Sequence, residues 1–113
     1  MIRHAGLHMK YLIFFLILIS HAVTAQPVSV VRIHYDGGGD WYGNKTTWIN
    51  ILERFEEEFR IPVTEREVSH KITDPEFRQY PIAYIAGHGN IRFSDEEAEL
   101  LRTYLTSGGF LFA

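Results

Sequence analysis

Two glycine-rich stretches hold the residues of this sequence with the widest chemical reach. The first, Asp36-Gly-Gly-Gly-Asp-Trp-Tyr-Gly-Asn44, sets two carboxylates, two large aromatics and an amide among four glycines. The second, Gly87-His-Gly-Asn90, holds an imidazole between two glycines. An imidazole titrates near neutral pH, and beside a carboxylate it forms an acid–base pair or part of a divalent-metal site. His88, oriented by Asp36 or Asp40, is therefore the candidate general base of a hydrolase, and His34 stands near enough in the chain order to join the same set. No HxH or HExxH spacing is present, so no metal ligands and no cofactor are expected. Trp41 and Tyr42 offer flat faces on which a sugar can stack. Asp36, Gly38, Asp40, Asn44, His88 and Asn90 supply hydrogen-bonding groups around them. A small polar, carbohydrate-like ligand is the leading expectation, a hydrolase the alternative, and an envelope interaction module a third reading. The same loops also read as plain turns, with glycines for positive φ and aromatics packed on a neighbouring loop.

Gly38 and Gly43 have the separation of a phosphate-binding loop, but Lys45 follows Gly43 one residue too late. The intervening Asn44 rotates the lysine by about 100° on a helix of 3.6 residues per turn. Trp41 and Tyr42 are also bulky for a phosphate cradle, and Gly37, Gly39 and Gly43 miss the dinucleotide spacing. Nucleotide binding is not expected.

The elements that position these loops follow from periodicity. Val28–Tyr35 is β-branched and bounded by Pro27 and Asp36-Gly37, which predicts a strand with Val31, Ile33 and Tyr35 on one face and Val30, Arg32 and His34 on the other. Trp48, Leu52, Phe55 and Phe59 form a helical stripe that starts near Thr46 or Thr47 and stops before Pro62. Glu56-Glu57-Glu58 crowd its unfavourable C-terminal end and read as a solvated face. Val63–Val68 reads as a short edge strand, His70 as exposed, Asp74-Pro75 as a turn and Ile82–Ala86 as a buried strand. Ser94 and Glu97 form a capping box, and Ala98, Leu101, Tyr104 and Leu105 give the helix its buried stripe. Gly108-Gly109 closes that helix before a last strand from Phe110. Alternation of this kind predicts an α/β fold, a flavodoxin-like or Rossmann-like parallel sheet with crossover helices. Ligands bind such sheets at the C-terminal edge, where both glycine loops fall. The apolar start of a strand at Phe110–Ala113 leads us to expect the N-terminal part of a longer domain.

The chain has 113 residues, 46% of them apolar and 14% aromatic, enough for one small domain with a real core. The absence of cysteine excludes disulfides, thiolate zinc sites and a cysteine nucleophile within these residues. With a net charge of −3 the chain lacks a nucleic-acid footprint. Tyr11–Ile19 is an unbroken apolar run preceded by Lys10 and, further upstream, Arg3. It is short against the roughly 20 residues of a membrane span and suits the apolar core of a signal peptide. Val23 and Ala25 fit a cleavage site, so residues 1–25 are expected to be a leader cleaved after Ala25. Met9-Lys10 makes a more ordinary signal-peptide start than Met1. The mature domain, 26–113, then carries a net charge of −5, because Arg3 and Lys10 are lost and no acidic residue is. Periplasmic or extracellular location, and no membrane span after cleavage, follow. The Asn44-Lys45-Thr46 sequon matters only in a eukaryotic secretory pathway, whereas the short leader and cysteine-free mature chain fit a bacterial protein. The sequence sets no oligomeric state.

Arg32–Asn44 (RIHYDGGGDWYGN) and Tyr80–Ala113 (YPIAYIAGHGNIRFSDEEAELLRTYLTSGGFLFA) carry a further signal. Across Val30–Ala113 the chain resembles the bacterial family called domain of unknown function 4159. Its members are similar to the class I glutamine amidotransferase-like superfamily, a flavodoxin-like α/β sandwich. The resemblance implies that Gly87-His88-Gly89 matches an oxyanion-type glycine loop and that a nucleophile elbow falls past Ala113. It carries over no catalytic residue.

Overall fold

A computed structural model describes residues 25–113. The expected leader lies, apart from Ala25, outside the described residues. The elements are β1 (Val30–Ile33), α1 (Thr47–Phe59), β2 (Val68–His70), a 3-10 turn (Pro75–Gln79), β3 (Ile82–Tyr84), α2 (Asp95–Thr106) and β4 (Phe110–Phe112). All strand pairs are parallel and the order is β2-β1-β3-β4. Val31 stands between Val68 and Ala83, and Ile82 stands between Val30 and Phe110. From β1 the chain crosses outward to β2, and from β3 it crosses outward in the opposite direction to β4. The winding therefore reverses between β1 and β3, which makes their C-terminal ends the topological switch point of a flavodoxin-like order.

The alternation of β1 divides the core as its sequence requires. Val31, Ile33 and Tyr35 face α2 with Phe77, Ala83, Ile85 and Tyr104. Val30 faces α1 with Trp48, Leu52 and Tyr84. Phe77, Ile33, Val30 and Val31 are the largest fully buried side chains, each contributing about 1.5–3 kcal/mol through burial.

Several boundaries differ from the sequence expectation. β1 covers four residues, while Val28 and Asp36 make only single bridges, to Val63 and Arg92. The edge strand lies at Val68–His70 rather than Val63–Val68. The Val63 side docks through Val28 alone, whereas Val68 and His70 come into register with Val31 and Ile33. His70 is half-buried rather than exposed, its Nδ1 3.2 Å from Asp74 Oδ2. Along α1 the stripe fades: Phe55 is half-buried and Phe59 is exposed, and the two rings pack on each other at 4.8 Å. On α2 the inward residues are Glu97, Leu100, Leu101 and Tyr104, with Ala98 and Leu105 exposed. Two anchors set this rotation. The Ser94 hydroxyl accepts the Glu97 N–H at 3.1 Å while the Glu97 carboxylate accepts the Ser94 N–H at 2.8 Å, and Tyr104 donates to the Tyr80 carbonyl at 3.0 Å. Among the described residues no helix is long and apolar enough to cross a membrane.

Candidate functional site

The loops after β1 and β3 meet over the switch point and run antiparallel to each other. Arg92 N–H donates to the Asp36 carbonyl at 2.7 Å, Gly39 N–H to Asn90 at 3.1 Å and Asp40 N–H to His88 at 3.1 Å. The His88 N–H donates back to Asp40 Oδ1. Beneath them the Tyr35 hydroxyl donates to the Ala86 carbonyl at 3.1 Å. The glycines permit this closeness: a Cβ on Gly87 would fall on the Tyr35 hydroxyl, and φ there is +140°. Gly38, at φ +87°, has no atom within 4 Å of such a Cβ and faces open space.

Of the residues expected to converge, Asp40 and His88 do. Asp40 Oδ2 lies 3.5 Å from His88 Nδ1, and the imidazole is 95% exposed. Asp36 does not join them; its Oδ1 stands 3.6 Å from Lys71 Nζ. His34 stacks on Trp41, with centroids 3.9 Å apart and planes at 26°. Tyr42 meets Trp41 edge-on at 85°, so the two aromatics form no common platform. One face of Trp41 is covered by His34, and Tyr42 is the exposed ring. Asn90 is exposed, and Asn44, also exposed, takes a positive φ of 54°. Among the described residues no group of three His, Cys, Asp or Glu is placed to hold a metal ion.

The electrostatics follow the hydrogen bonds. The His88 N–H on its carboxylate, aided by the His88 side chain, holds Asp40 below the ordinary carboxylate value, with partial desolvation opposing. Burial first, and the Asp40 charge second, push the Tyr35 hydroxyl above its ordinary value.

Arg32 is the organiser that sequence reasoning passed over. It is 4% exposed in the middle of β1. Nε and Nη2 donate to Glu67 Oε1 at 2.9 and 2.6 Å. Nη1 donates to the carbonyls of Trp41 and Gly43 at 2.9 and 2.7 Å, and Nη2 also to Asn44 at 3.2 Å. All five N–H groups are thus engaged. The guanidinium carbon also lies 5.0 Å from the Tyr84 ring centroid. The available signal was an arginine among valines and isoleucines in a buried strand, where a charge persists only when paired. The Asn44 side chain was expected to serve a ligand; its backbone carbonyl serves Arg32.

A parallel α/β sheet with flavodoxin-like order, carrying two paired glycine loops over its switch point, is the class defined by this geometry. Residues 29–113 match the model of a family described as Domain of unknown function (DUF4159), and the chain belongs to that family. Neither a curated protein nor a solved structure matches it.

Proposed function

We propose that this chain is an exported α/β domain that binds a small polar, carbohydrate-like ligand on the paired loops at the C-terminal edge of its sheet. The observation that carries this reading is the loop pair itself. Its backbone is pinned by Asp36, Gly39, Asp40, His88 and Asn90, while Tyr42 and His88 project to solvent beside the exposed Asp36, Gly38, Asn44 and Asn90. Preorganised polar groups beside an exposed aromatic lower the ordering cost of binding. In this reading Tyr42 stacks on the ring, backed by Trp41, and His88, Asp36, Asp40, Asn44 and Asn90 exchange hydrogen bonds with hydroxyls. Residues 1–25 are its leader, removed after Ala25 to release it to the periplasm or exterior. A kinship with the glutamine amidotransferase-like superfamily belongs to the same proposal and rests on the glycine loop after β3.

Binding of the full-length chain to a broad glycan and metabolite panel tests this site. Tyr42→Ala and His88→Ala should each weaken the hits about tenfold or more, and unchanged binding in both variants overturns it. The mass of the secreted chain tests the leader: a mature N-terminus at Gln26 is expected.

One observation favours a second reading, a hydrolase. Asp40 faces His88 Nδ1, which leaves Nε2 to take a proton from water. Hydrolysis of ester or glycoside substrates, abolished in His88→Ala and reduced in Asp40→Asn, would support it. Activity indifferent to both would remove it.

A further inference from the structure

Beside the paired loops, but on the flank facing β2, lies a cavity of about 260 Å³ between the Trp41–Lys45 segment and the edge strand. Neither Asp40 nor His88 lines it. Its walls are Trp41 and Tyr42 on one side and Glu67, Val68 and Ser69 on the other, with Arg32 and Lys45 completing it. We propose that this cavity is the subsite for an acidic sugar ring, a hexuronate or similar anionic saccharide. The proposal rests on the carbohydrate-like reading above and names the class of sugar.

Charge decides the class. Arg32 and Glu67 neutralise each other, and every Arg32 N–H is already engaged. Lys45 remains. It is exposed and makes no ion pair among the described residues. The cavity is therefore net positive by one charge within a chain that is net negative. An amine-bearing ligand would meet the uncompensated Lys45 ammonium and be repelled, whereas a carboxylate would pair with it, the one acid of the wall, Glu67, being already bound to Arg32.

Polar satisfaction points the same way. Glu67 Oε1 receives both arginine donors, while Oε2 is buried with no partner. An unpartnered buried carboxylate oxygen is costly and calls for a donor. That oxygen is closed off in this arrangement, so a sugar hydroxyl serves as its donor only once the Glu67 carboxylate turns toward the cavity, and it adds no charge to a pair that is already balanced. Ser69 lines the same wall. Tyr42 presents an exposed ring for the apolar face of the sugar. The volume is near the lower end, about 300 Å³, of small-molecule pockets, which suits a single ring rather than a nucleotide.

The experiment is titration of the full-length chain, followed by Trp fluorescence, with galacturonate and glucuronate against galactose and glucose, in low salt and in 0.5 M NaCl. Uronate is expected to bind at least tenfold more tightly than its neutral counterpart, with the preference shrinking in salt and vanishing in Lys45→Gln. Lys45 is exposed, so that variant keeps the fold; Ser69→Ala should weaken both sugars several-fold. Equal binding of acidic and neutral sugars, untouched by Lys45→Gln, would overturn the acidic subsite and leave the carbohydrate reading standing. Uronate binding lost in His88→Ala but intact in Lys45→Gln would overturn the subsite by moving it to the other flank. No binding of any saccharide would overturn both.

Discussion

Arg32 and Glu67 form a buried pair in which two donors share one acceptor: Nε and Nη2 both reach Oε1, at 2.9 and 2.6 Å. The geometry leaves the rest of the fork free to point along the sheet edge, where it gathers the carbonyls of Trp41, Gly43 and Asn44. One side chain thereby ties β1, the segment entering β2 and the first glycine loop into a unit. The loop's shape is set from beneath by a charge rather than by its own sequence.

Replacing Arg32 should therefore damage both stability and loop order. Arg32→Ala leaves a buried carboxylate and the carbonyls of Trp41 and Gly43 unpaired, Asn44 keeping the Thr47 N–H, and breaking a buried pair in this way costs about 3–5 kcal/mol. Against a total stability of about 5–15 kcal/mol for a small domain, that is a large fraction. Arg32→Lys should rescue little, because an ammonium offers three donors on one centre where the fork offers five in a plane. Urea midpoints report the loss. Amide exchange should show residues 41–45 opening in both variants while α2 stays protected.

The order of elements, the two faces of β1 and the meeting of both glycine loops at one edge were all legible in the sequence. Each follows from a period or a turn residue acting locally. The Ser94 capping box was legible for the same reason. What was not legible depends on contacts distant in sequence. The shift of the edge strand to Val68–His70 is set by register against Val31 and Ile33. Asp36 turns toward Lys71, 35 positions away, while the covering of Trp41 by His34 depends on how the loop between them folds back. Arg32 read as one polar residue on an apolar strand because its partner lies 35 positions away.

Trp48 offers a test of packing without polarity. Its ring meets Tyr84 and Phe112 edge-on at 5.4 and 5.9 Å, yet its Nε1 is buried with no partner. Trp48→Phe removes an unsatisfied donor along with some volume, and the two effects oppose each other. The variant should stay within about 1 kcal/mol of the parent, whereas Trp48→Ala should lose about 3–5 kcal/mol. Denaturant unfolding of the two variants side by side decides it; equal losses would contradict the unsatisfied-donor account.

Asp40 gives the loop pair an acid sensitivity. Its carboxyl is held below the ordinary value of 3.8 chiefly by the His88 N–H. A depressed carboxyl contributes stability that is present above its unfolded value and is lost as pH falls through its folded value. The contribution is therefore fully present above about pH 5, starts to decline near pH 3.8, the unfolded value, and is gone only once pH is below the lower folded value. Asp40→Asn should be less stable than the parent at pH 6 and should approach it at pH 3. Thermal midpoints at the two pH values supply the comparison, and a constant gap between the proteins would exclude Asp40 as the source.

Gly87 and Gly38 both hold positive φ, but for different reasons, and alanine at each should separate them. At Gly38 the new Cβ meets nothing within 4 Å, so Gly38→Ala should cost only the left-handed strain, about 1–2 kcal/mol. At Gly87 the Cβ would fall on the Tyr35 hydroxyl and approach Asp40 Oδ1 at 3.0 Å. The strand end and both loops must then separate, and the loss should exceed that at Gly38 by about 1–3 kcal/mol, the cost of overpacking. Tyr35→Phe alone removes the bond to the Ala86 carbonyl and should cost about 1 kcal/mol. In Gly87→Ala/Tyr35→Phe the clashing oxygen is absent, so the combined loss should fall short of the sum of the single losses. A double-mutant cycle in denaturant measures that coupling. Additivity within 0.5 kcal/mol, the usual tolerance for independent sites, would show that Gly87 is required for its φ alone and that the loops do not close on Tyr35.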